Sequence, residues 1–279
     1  MANNISDRAM IGPDVKIGDD VTIGPFVYIS GDVIIGDHVK IYSNVNMEGK
    51  IVIGNHCKIY PNVSIMSGTR LGNDNQIFQN TVLGAVPQDF SFTGDETELV
   101  IGNQNTIREN VVINRASHTG GKTVIGSNNF LMEGTHVSHD TKIGNNCVFG
   151  YGTKIAGSCV ISDRAIFSSS VIENGNTRVG ECAMVQAGTT FSKDIPPYIV
   201  VGDAPAKYNG VNSVMLTSYG TKQKIQDHIA NAYRLVFHGQ NSTLDAVLQI
   251  ESQVPDGPEI RNIIHFIQAS KLGIIGKNW

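Results

Sequence analysis

An apolar residue recurs at every sixth position of this chain between Ile11 and Leu83, and this period restricts the fold more than any other feature. No polar residue interrupts the series Ile11, Ile17, Ile23, Ile29, Ile35, Ile41, Met47, Ile53, Ile59, Ile65, Leu71, Ile77 and Leu83. A second series of small or β-branched residues follows four positions after the first. A sandwich or barrel of short strands requires alternation of period two, which is not the pattern here, so we predict a repeat architecture.

Both apolar series are predicted to point into a prism and to stack on the units above and below, so that the core becomes a continuous ladder. Glycine often follows the first apolar residue, as in IGPDVK and IGDHVK, where a corner suits a residue without Cβ. The repeat resembles the hexapeptide repeat of the left-handed parallel β-helix, in which three short strands form one triangular coil. We therefore expect a mainly β chain, with a left-handed parallel β-helix over residues 1–200.

Two insertions interrupt the repeat, the first at residues 85–100 and the second at residues 115–123. Insertions in a solenoid map to loops, and such loops often carry function. Further along, Glu173 occupies an inward position, where a carboxylate is costly inside an apolar prism. A local bulge in IENGN is the favoured explanation, and a functional role is the alternative. The series ends at DIPPY, where two prolines are expected to end strand pairing.

Residues 201–279 are predicted to form a small C-terminal α-helical domain. Apolar side chains recur at helical spacing in TKQKIQDHIANAYRLVF, which predicts a first helix. Ser242 followed by Asp245 resembles a capping box that opens a second helix. Pro258 suits the first turn of a third helix.

Composition argues against several classes of protein. The net charge of -4 gives no electrostatic footprint for nucleic acid. The N-terminus MANNISDR has no apolar segment behind it, and no stretch is long enough to cross a bilayer. We therefore expect a soluble cytoplasmic protein. The four cysteines lie far apart in sequence, which favours buried, reduced thiols over a metal or redox motif.

The stretch THVSHD places His136 and His139 in different positions of consecutive six-residue units, directly after the second insertion. On spacing alone, solvated surface histidines and a catalytic pair both remain open. Consecutive residues of a strand point to opposite faces, so Asp140 can support His139 only if the chain turns a corner there.

Several longer motifs stand in a fixed order along the chain: PQDFSFTGDETELVIGNQNTIREN, NNFLMEGTHVSHDTKIGNNC, IAGS and SKDIPPYIVVGDAPAKYNGVNSV. Together with the repeat and the helical tail they resemble the UDP-N-acetylglucosamine O-acyltransferase family, which catalyses the first step of lipid A biosynthesis. The resemblance implies a homotrimer with active sites between neighbouring prisms. It also implies transfer of a 3-hydroxyacyl chain from acyl carrier protein to the sugar 3-hydroxyl, without cofactor or metal.

The same resemblance implies roles for individual residues. His139 would act as general base, Asp140 would orient it, and the backbone N–H of Gly157 would stabilise the oxyanion. The substrate-binding residues implied by the resemblance are Gln88, Asp89, His136, Ser158 and Asn212. For Asp89, a solvated loop aspartate fits the sequence equally well.

Other positions depart from the family pattern. Residues that the family usually carries are replaced at Ser91, Ser158, Asn174, Gly175, Val214, Ser218 and Tyr219. The class of enzyme is therefore better determined than the substrate, and the acyl chain and the exact acceptor stay open. Residues 206–279 carry seven basic and five acidic side chains, a balance of +2 in a chain of net charge -4, which suits an acidic carrier protein.

Three alternatives remain on the sequence. The first is a diverged paralogue or an acetyltransferase that acts on a nucleotide-linked sugar from acetyl-CoA. The second is a metal protein similar to γ-class carbonic anhydrase, which needs three converging histidines, although no third is evident beside His136 and His139. The third is a non-catalytic binding protein, favoured if a change at His139 had no effect.

Overall fold

Three parallel sheets wind around one prism and end in a group of helices, as seen in a computed structural model that describes residues 2–239 and 242–276. The predicted fold class, a left-handed parallel β-helix followed by C-terminal helices, is confirmed. Lys277, one of the seven basic residues of the tail, lies outside the described residues.

The strands are short, between two and five residues each, because every six-residue unit must also supply a corner. In chain order they are β1 (Asn4–Ile5), β2 (Met10–Ile11), β3 (Lys16–Ile17), β4 (Thr22–Ile23), β5 (Tyr28–Ser30), β6 (Val33–Ile35), β7 (Lys40–Ile41), β8 (Asn46–Glu48), β9 (Ile51–Ile53), β10 (Lys58–Ile59), β11 (Ser64–Met66), β12 (Thr69–Leu71), β13 (Gln76–Ile77), β14 (Val82–Ala85), β15 (Glu98–Ile101), β16 (Thr106–Ile107), β17 (Val112–Asn114), β18 (Lys122–Ile125), β19 (Phe130–Leu131), β20 (His136–Val137), β21 (Lys142–Ile143), β22 (Val148–Phe149), β23 (Lys154–Ile155), β24 (Val160–Ile161), β25 (Ile166–Phe167), β26 (Ile172–Glu173), β27 (Arg178–Val179), β28 (Met184–Val185), β29 (Thr190–Phe191), β30 (Ile199–Gly202) and β31 (Lys207–Val211).

Along most of the prism, each strand pairs in parallel with the strand three places later in the chain. The first sheet (β1, β4, β7 and so on) has 12 strands, the second (β2, β5, β8 and so on) has 10, and the third (β3, β6, β9 and so on) has 9. Lys58 lies beside Lys40 in the first sheet, 18 residues earlier, so one regular coil takes three six-residue units. The first insertion lengthens one coil, placing Val112 beside Val82, and the second lengthens the next, placing His136 beside Val112.

The core of the prism is the predicted ladder. Side chains of both apolar series are buried from Val21 onwards, whereas Ile11 and Ile17 at the N-terminal end are only partly buried. Phe149 and Phe167 pack against each other inside the prism with tilted rings, whose centroids lie 5.0 Å apart. All four cysteines are free and buried, as predicted, and burial raises the pKa of the Cys57 thiol to about 11.

The predicted bulge at Glu173 is wrong. Strand β26 stays in register with both neighbours, so that Glu173 lies between Ile155 and Phe191 with its side chain inside the prism, 1% exposed. Burial raises the pKa of this carboxyl to about 8, and the Thr177 hydroxyl donates a hydrogen bond of 2.8 Å to it. A neutral acid costs far less to bury than an ion, so the coil keeps its regular path.

Strand pairing also continues past the two prolines, contrary to the prediction. Ile195 bridges to Val179, and β30 pairs in parallel with β28 beyond Pro196 and Pro197. Both prolines lie between these paired segments, at a corner where a missing N–H removes no ladder hydrogen bond. Strand β31 then turns back antiparallel to β30 and leads to the helices.

The C-terminal helices are α1 (Ser213–Ser218), α2 (Gln223–Phe237), α3 (Thr243–Gln253) and α4 (Pro258–Gln268). The last three were predicted, whereas α1 is too short to show a helical period. The Ser242 cap is confirmed, because its hydroxyl accepts a hydrogen bond from the backbone N–H of Asp245 at 3.1 Å. In α2, the Tyr233 hydroxyl donates to the backbone of Pro197, which fastens the helix to the last corner of the prism. Within the described residues, the helices are all too short or too polar to span a membrane.

Candidate active site

His139 lies at the corner between the second and third sheets, between β20 and β21. Asp140 has a φ of +61°, in the left-handed region, so the chain turns there and adjacent side chains no longer point to opposite faces. His139 Nδ1 lies 2.8 Å from Asp140 Oδ2. The corner that Asp140 needs in order to support His139 is therefore present.

The hydrogen bond fixes which ring nitrogen of neutral His139 can act as a base. An ionised carboxylate only accepts hydrogen bonds, so Nδ1 carries the proton and Nε2 keeps its lone pair. Nε2 lies 3.9 Å from Asp89 Oδ2, too far for a hydrogen bond. The two carboxylates thus lie at opposite nitrogens of a ring that is 19% exposed, and the unprotonated nitrogen remains open to a substrate.

Asp140 is held on several sides. Its carboxylate accepts hydrogen bonds from the Ser117 hydroxyl at 2.8 Å and from the Ser117 backbone N–H at 3.2 Å, and it pairs with His118 Nδ1 at 2.9 Å. Its own backbone N–H donates to the Thr123 hydroxyl. Burial raises the pKa of Asp140, but the hydrogen bonds from His139 and Ser117 outweigh burial, so the pKa lies below its usual value. Asp140 is therefore ionised at neutral pH.

Asp89 reaches the same corner from the first insertion. Its carboxylate accepts hydrogen bonds from the Ser91 backbone N–H at 2.9 Å and from the Ser91 hydroxyl at 2.8 Å. These bonds, with smaller contributions from the Ser117 side chain and the charge of His139, hold the pKa of Asp89 below its usual range. Asp89 is thus an ionised acceptor beside His139, where a sugar hydroxyl could donate to it.

Gly157 lies against the His139 ring from the next coil. A Cβ built at Gly157 would stand 2.6 Å from His139 Cε1 and 2.8 Å from Nε2, so only glycine leaves the ring in place. The following residue, Ser158, has a φ of +60° and donates its backbone N–H to the His139 carbonyl at 2.9 Å. The two coils are therefore locked together at the corner that holds the base.

Replacing Gly157 by alanine should displace the His139 ring without unfolding the prism, because the backbone there does not need a positive φ. We expect kcat to fall at least about tenfold, since a small misplacement of a catalytic group has large effects. Gly12→Ala is the matched control, because its Cβ would meet only ordinary contacts from 3.4 Å upward. An alanine at 157 with wild-type kcat would contradict this role for the close contact.

Two further predicted site residues are His136, on strand β20, and Gln88, on the first insertion. His136 projects outward from β20 and its Nε2 lies 3.0 Å from the Ser138 hydroxyl; burial and the charge of Lys154 lower its pKa. Gln88 is exposed on the first insertion. His136 is therefore neutral at pH 7, which suits contact with a polar substrate better than anion binding.

Asn212 lies at a different corner within the chain. Its side chain is 3% exposed, donates to the carbonyl of Cys182 at 2.9 Å and caps helix α1. Cys182 belongs to the corner between the third and first sheets, whereas His139 lies between the second and third. Within one chain, Asn212 therefore does not belong to the His139 site.

Two residues at the site were missed from the sequence, Ser117 and His118. Both contact Asp140 and both belong to the second insertion, which the interrupted repeat had already indicated as a functional loop. In residues 2–239 and 242–276, no group of three or more His, Cys, Asp or Glu side chains could hold a metal ion.

A prism of hexapeptide repeats with a histidine–carboxylate pair at one corner defines a bacterial transferase of the hexapeptide class. Residues 3–31, 14–49 and 122–157 match the bacterial transferase hexapeptide model, and residues 194–275 match the second domain of UDP-N-acetylglucosamine O-acyltransferase.

Proteins with similar sequences carry the name of the same enzyme. The chain is 37% identical over 193 residues to the acyl-[acyl-carrier-protein]–UDP-N-acetylglucosamine O-acyltransferase of Myxococcus xanthus, covering 69% of this chain and 75% of the relative. The enzyme of the same name from Xanthomonas campestris is 40% identical over 194 residues, covering 69% and 74%.

Solved structures agree along nearly the whole chain. The UDP-N-acetylglucosamine acyltransferase of Bacteroides fragilis superposes with a TM-score of 0.86 at 45% identity, covering 97% of this chain and 99% of that one. The Arabidopsis enzyme superposes with a TM-score of 0.84 at 27% identity, covering 97% and 99%. The chain belongs to the UDP-N-acetylglucosamine O-acyltransferase family.

Proposed function

We propose that this protein transfers a 3-hydroxyacyl chain from acyl carrier protein to the 3-hydroxyl of UDP-N-acetylglucosamine, the first step of lipid A biosynthesis, with His139 as the general base. The observation that carries the proposal is the His139 ring held between two ionised carboxylates, with Nε2 unprotonated and open. Family membership supports the same substrates, and a cytoplasmic location follows with them.

The chemistry follows from the site. A sugar hydroxyl is a poor nucleophile, so His139 Nε2 takes its proton as the oxygen attacks the thioester carbonyl. The Gly157 N–H is proposed to stabilise the oxyanion, and Asp140 is proposed to stabilise the imidazolium that forms. The intermediate then expels the carrier thiolate, which receives the proton from His139. No covalent bond to the protein forms at any step.

Asp89 is proposed to bind the acceptor. Its carboxylate can accept a hydrogen bond from a sugar hydroxyl while Nε2 of His139 accepts the proton of the attacking hydroxyl. Gln88 precedes Asp89 in the sequence, His136 lies three residues before His139, and Ser158 follows Gly157. These three residues are proposed to contact the rest of the substrate. Ser91, where the family often has lysine, orients Asp89 instead of adding charge.

We further propose a homotrimer with sites shared between neighbouring prisms. An outward column of the first sheet changes from polar to apolar along the prism, from Lys40 and Lys58 to Phe130, Val148, Ile166 and Met184. A partly exposed apolar column of this kind suits a subunit interface. A neighbour would also bring Asn212, which lies at another corner of its own chain, towards the His139 site.

The acyl carrier protein is proposed to dock on the C-terminal domain, where residues 206–279 have a charge balance of +2 in contrast to the net charge of -4 for the whole chain. Such a contrast speeds association with an acidic partner. We therefore expect kcat/KM for the carrier-linked donor to fall as salt rises, with little change in kcat. Salt-independent kcat/KM would argue against electrostatic docking.

Substrate choice is tested by offering purified protein a panel of 3-hydroxyacyl and acyl carrier protein thioesters and acyl-CoAs, each with UDP-N-acetylglucosamine or related nucleotide sugars. We expect the mass of one 3-hydroxyacyl group to appear on UDP-N-acetylglucosamine, with carrier-linked donors preferred. Equal or better use of acetyl-CoA would overturn the donor in favour of a small-acyl transferase. The altered positions Val214 and Tyr219, both exposed, make the acceptor panel informative.

A further inference from the structure

We propose that Ser117 is a positioning residue of this site: its hydroxyl holds the Asp140 carboxylate on His139 and keeps it from a competing imidazole. The inference rests on the proposed function, because Ser117 acts through Asp140 and His139 and touches no reacting atom.

The competition is visible in the contacts of Asp140. Oδ2 accepts from His139 Nδ1 and from the Ser117 hydroxyl, each at 2.8 Å, whereas Oδ1 faces His118 Nδ1 at 2.9 Å. Two imidazoles therefore share one carboxylate, which is only 8% exposed. Because His118 is 71% exposed, little packing restrains its ring, and without a further restraint it can draw the carboxylate away from His139.

Ser117 supplies that restraint with two donors. Its hydroxyl and its backbone N–H both approach Oδ2, the oxygen that carries the bond to His139. The backbone donor is shared with Oδ1 at 3.4 Å, so the hydroxyl is the donor directed at Oδ2 alone. The hydroxyl thus fixes the rotation of the carboxylate, and with it the orientation of the His139 ring.

The position of Ser117 does not depend on its own hydroxyl. The neighbouring Ala116 is buried and its N–H donates to the Glu98 carbonyl at 3.3 Å. Two residues later, the Thr119 hydroxyl donates to Asp95 Oδ1 of the first insertion at 2.7 Å. These contacts anchor the loop on both sides, so Ser117→Ala removes one hydrogen bond and leaves the loop in place.

The test compares Ser117→Ala, Ser117→Thr, Thr119→Val and His139→Ala with the wild-type protein. Thr119→Val is the matched control, since it removes a hydroxyl–carboxylate bond from the same loop at a site away from His139. We expect Ser117→Ala to lower kcat about ten- to a hundredfold while KM changes less than about threefold, because the base is misoriented and the acceptor contacts stay. Ser117→Thr should restore kcat to within about threefold of wild type, and Thr119→Val should leave it unchanged.

Wild-type kcat in Ser117→Ala, or equal losses in Ser117→Ala and Thr119→Val, would overturn the inference, the second outcome indicating general loop order. A kcat of Ser117→Thr as low as that of Ser117→Ala would also overturn the inference. If Ser117 proves unimportant but His139→Ala is inactive, the proposed function stands. If His139→Ala turns over normally, the proposed general base is wrong. Size-exclusion elution and thermal unfolding of each variant exclude misfolding as the cause.

Discussion

Replacing His139 by alanine lowers kcat for acyl transfer by at least about a hundredfold, and the variant remains folded. The loss is large because Nε2 of this ring is the nitrogen at the corner with a free lone pair that faces the substrate side. Asp89 and Asp140, the carboxylates beside it, both have lowered pKa values and are weaker bases. Initial rates read by product mass, with circular dichroism as the folding check, measure the effect.

His56→Ala is the matched control for that experiment. His56 stacks on His38 at a different corner of the prism, with ring centroids 4.7 Å apart, and its loss should leave kcat unchanged. His136→Ala, by contrast, should raise KM more than it lowers kcat, since His136 is proposed to bind substrate. Normal turnover by His139→Ala with every donor tested would rule out the proposed base.

Glu173→Gln should remove a strong pH dependence of folding. The carboxyl has an ordinary pKa of 4.5 and a folded-state pKa of about 8, so the folded chain binds the proton more tightly. The contribution of Glu173 to wild-type stability is therefore greatest below about pH 4.5, falls as the pH rises towards 8, and levels off above it. A shift of this size corresponds to several kcal/mol across that window. Glutamine, which does not titrate, should be the more stable variant at pH 9.

The measurement is the free energy of unfolding in urea at fixed protein concentration from pH 5 to pH 9, since assembly makes stability depend on concentration. At low pH the protonated acid and glutamine each leave a donor without a partner at the position of Oε2, so the two proteins should differ little in stability there. The two stability curves should therefore lie close together at low pH and separate as the pH rises. Glu181→Gln, a change at a partly exposed carboxylate paired with Arg164, should keep the wild-type slope. Parallel curves for wild type and Glu173→Gln would contradict the account.

The prism was predictable because its order is local and repeated. Each inward residue, such as Ile59 or Ile65, meets mainly its equivalents one coil away, so a period in sequence becomes a column in space. The rule did not predict the regular strand at Glu173, because the cost of burying a carboxyl group depends on its protonation, which the sequence does not show. The end of strand pairing predicted at Pro196 and Pro197 was wrong for a similar reason, since the effect of a proline depends on whether it falls in a strand or at a corner.

The site was predictable only in part. His139 and Asp140 were found because a motif and its neighbour in sequence share one corner. Ser117 and His118 are more than twenty residues away, and only the folded loop brings them to Asp140. Asn212 kept the family's residue type, yet it caps a helix at another corner, and a residue type alone does not show which side chains meet.

Direct transfer of the acyl group, with His139 as the base, can be tested in one single-turnover experiment. Protein in excess over a 3-hydroxyacyl carrier protein is mixed with UDP-N-acetylglucosamine, and the masses of carrier, protein and nucleotide sugar are followed together. We expect the acyl mass to pass from carrier to sugar while the protein mass never changes, and His139→Ala to slow this transfer by at least about a hundredfold. An acyl group on the protein, or equal transfer by His139→Ala, would contradict it.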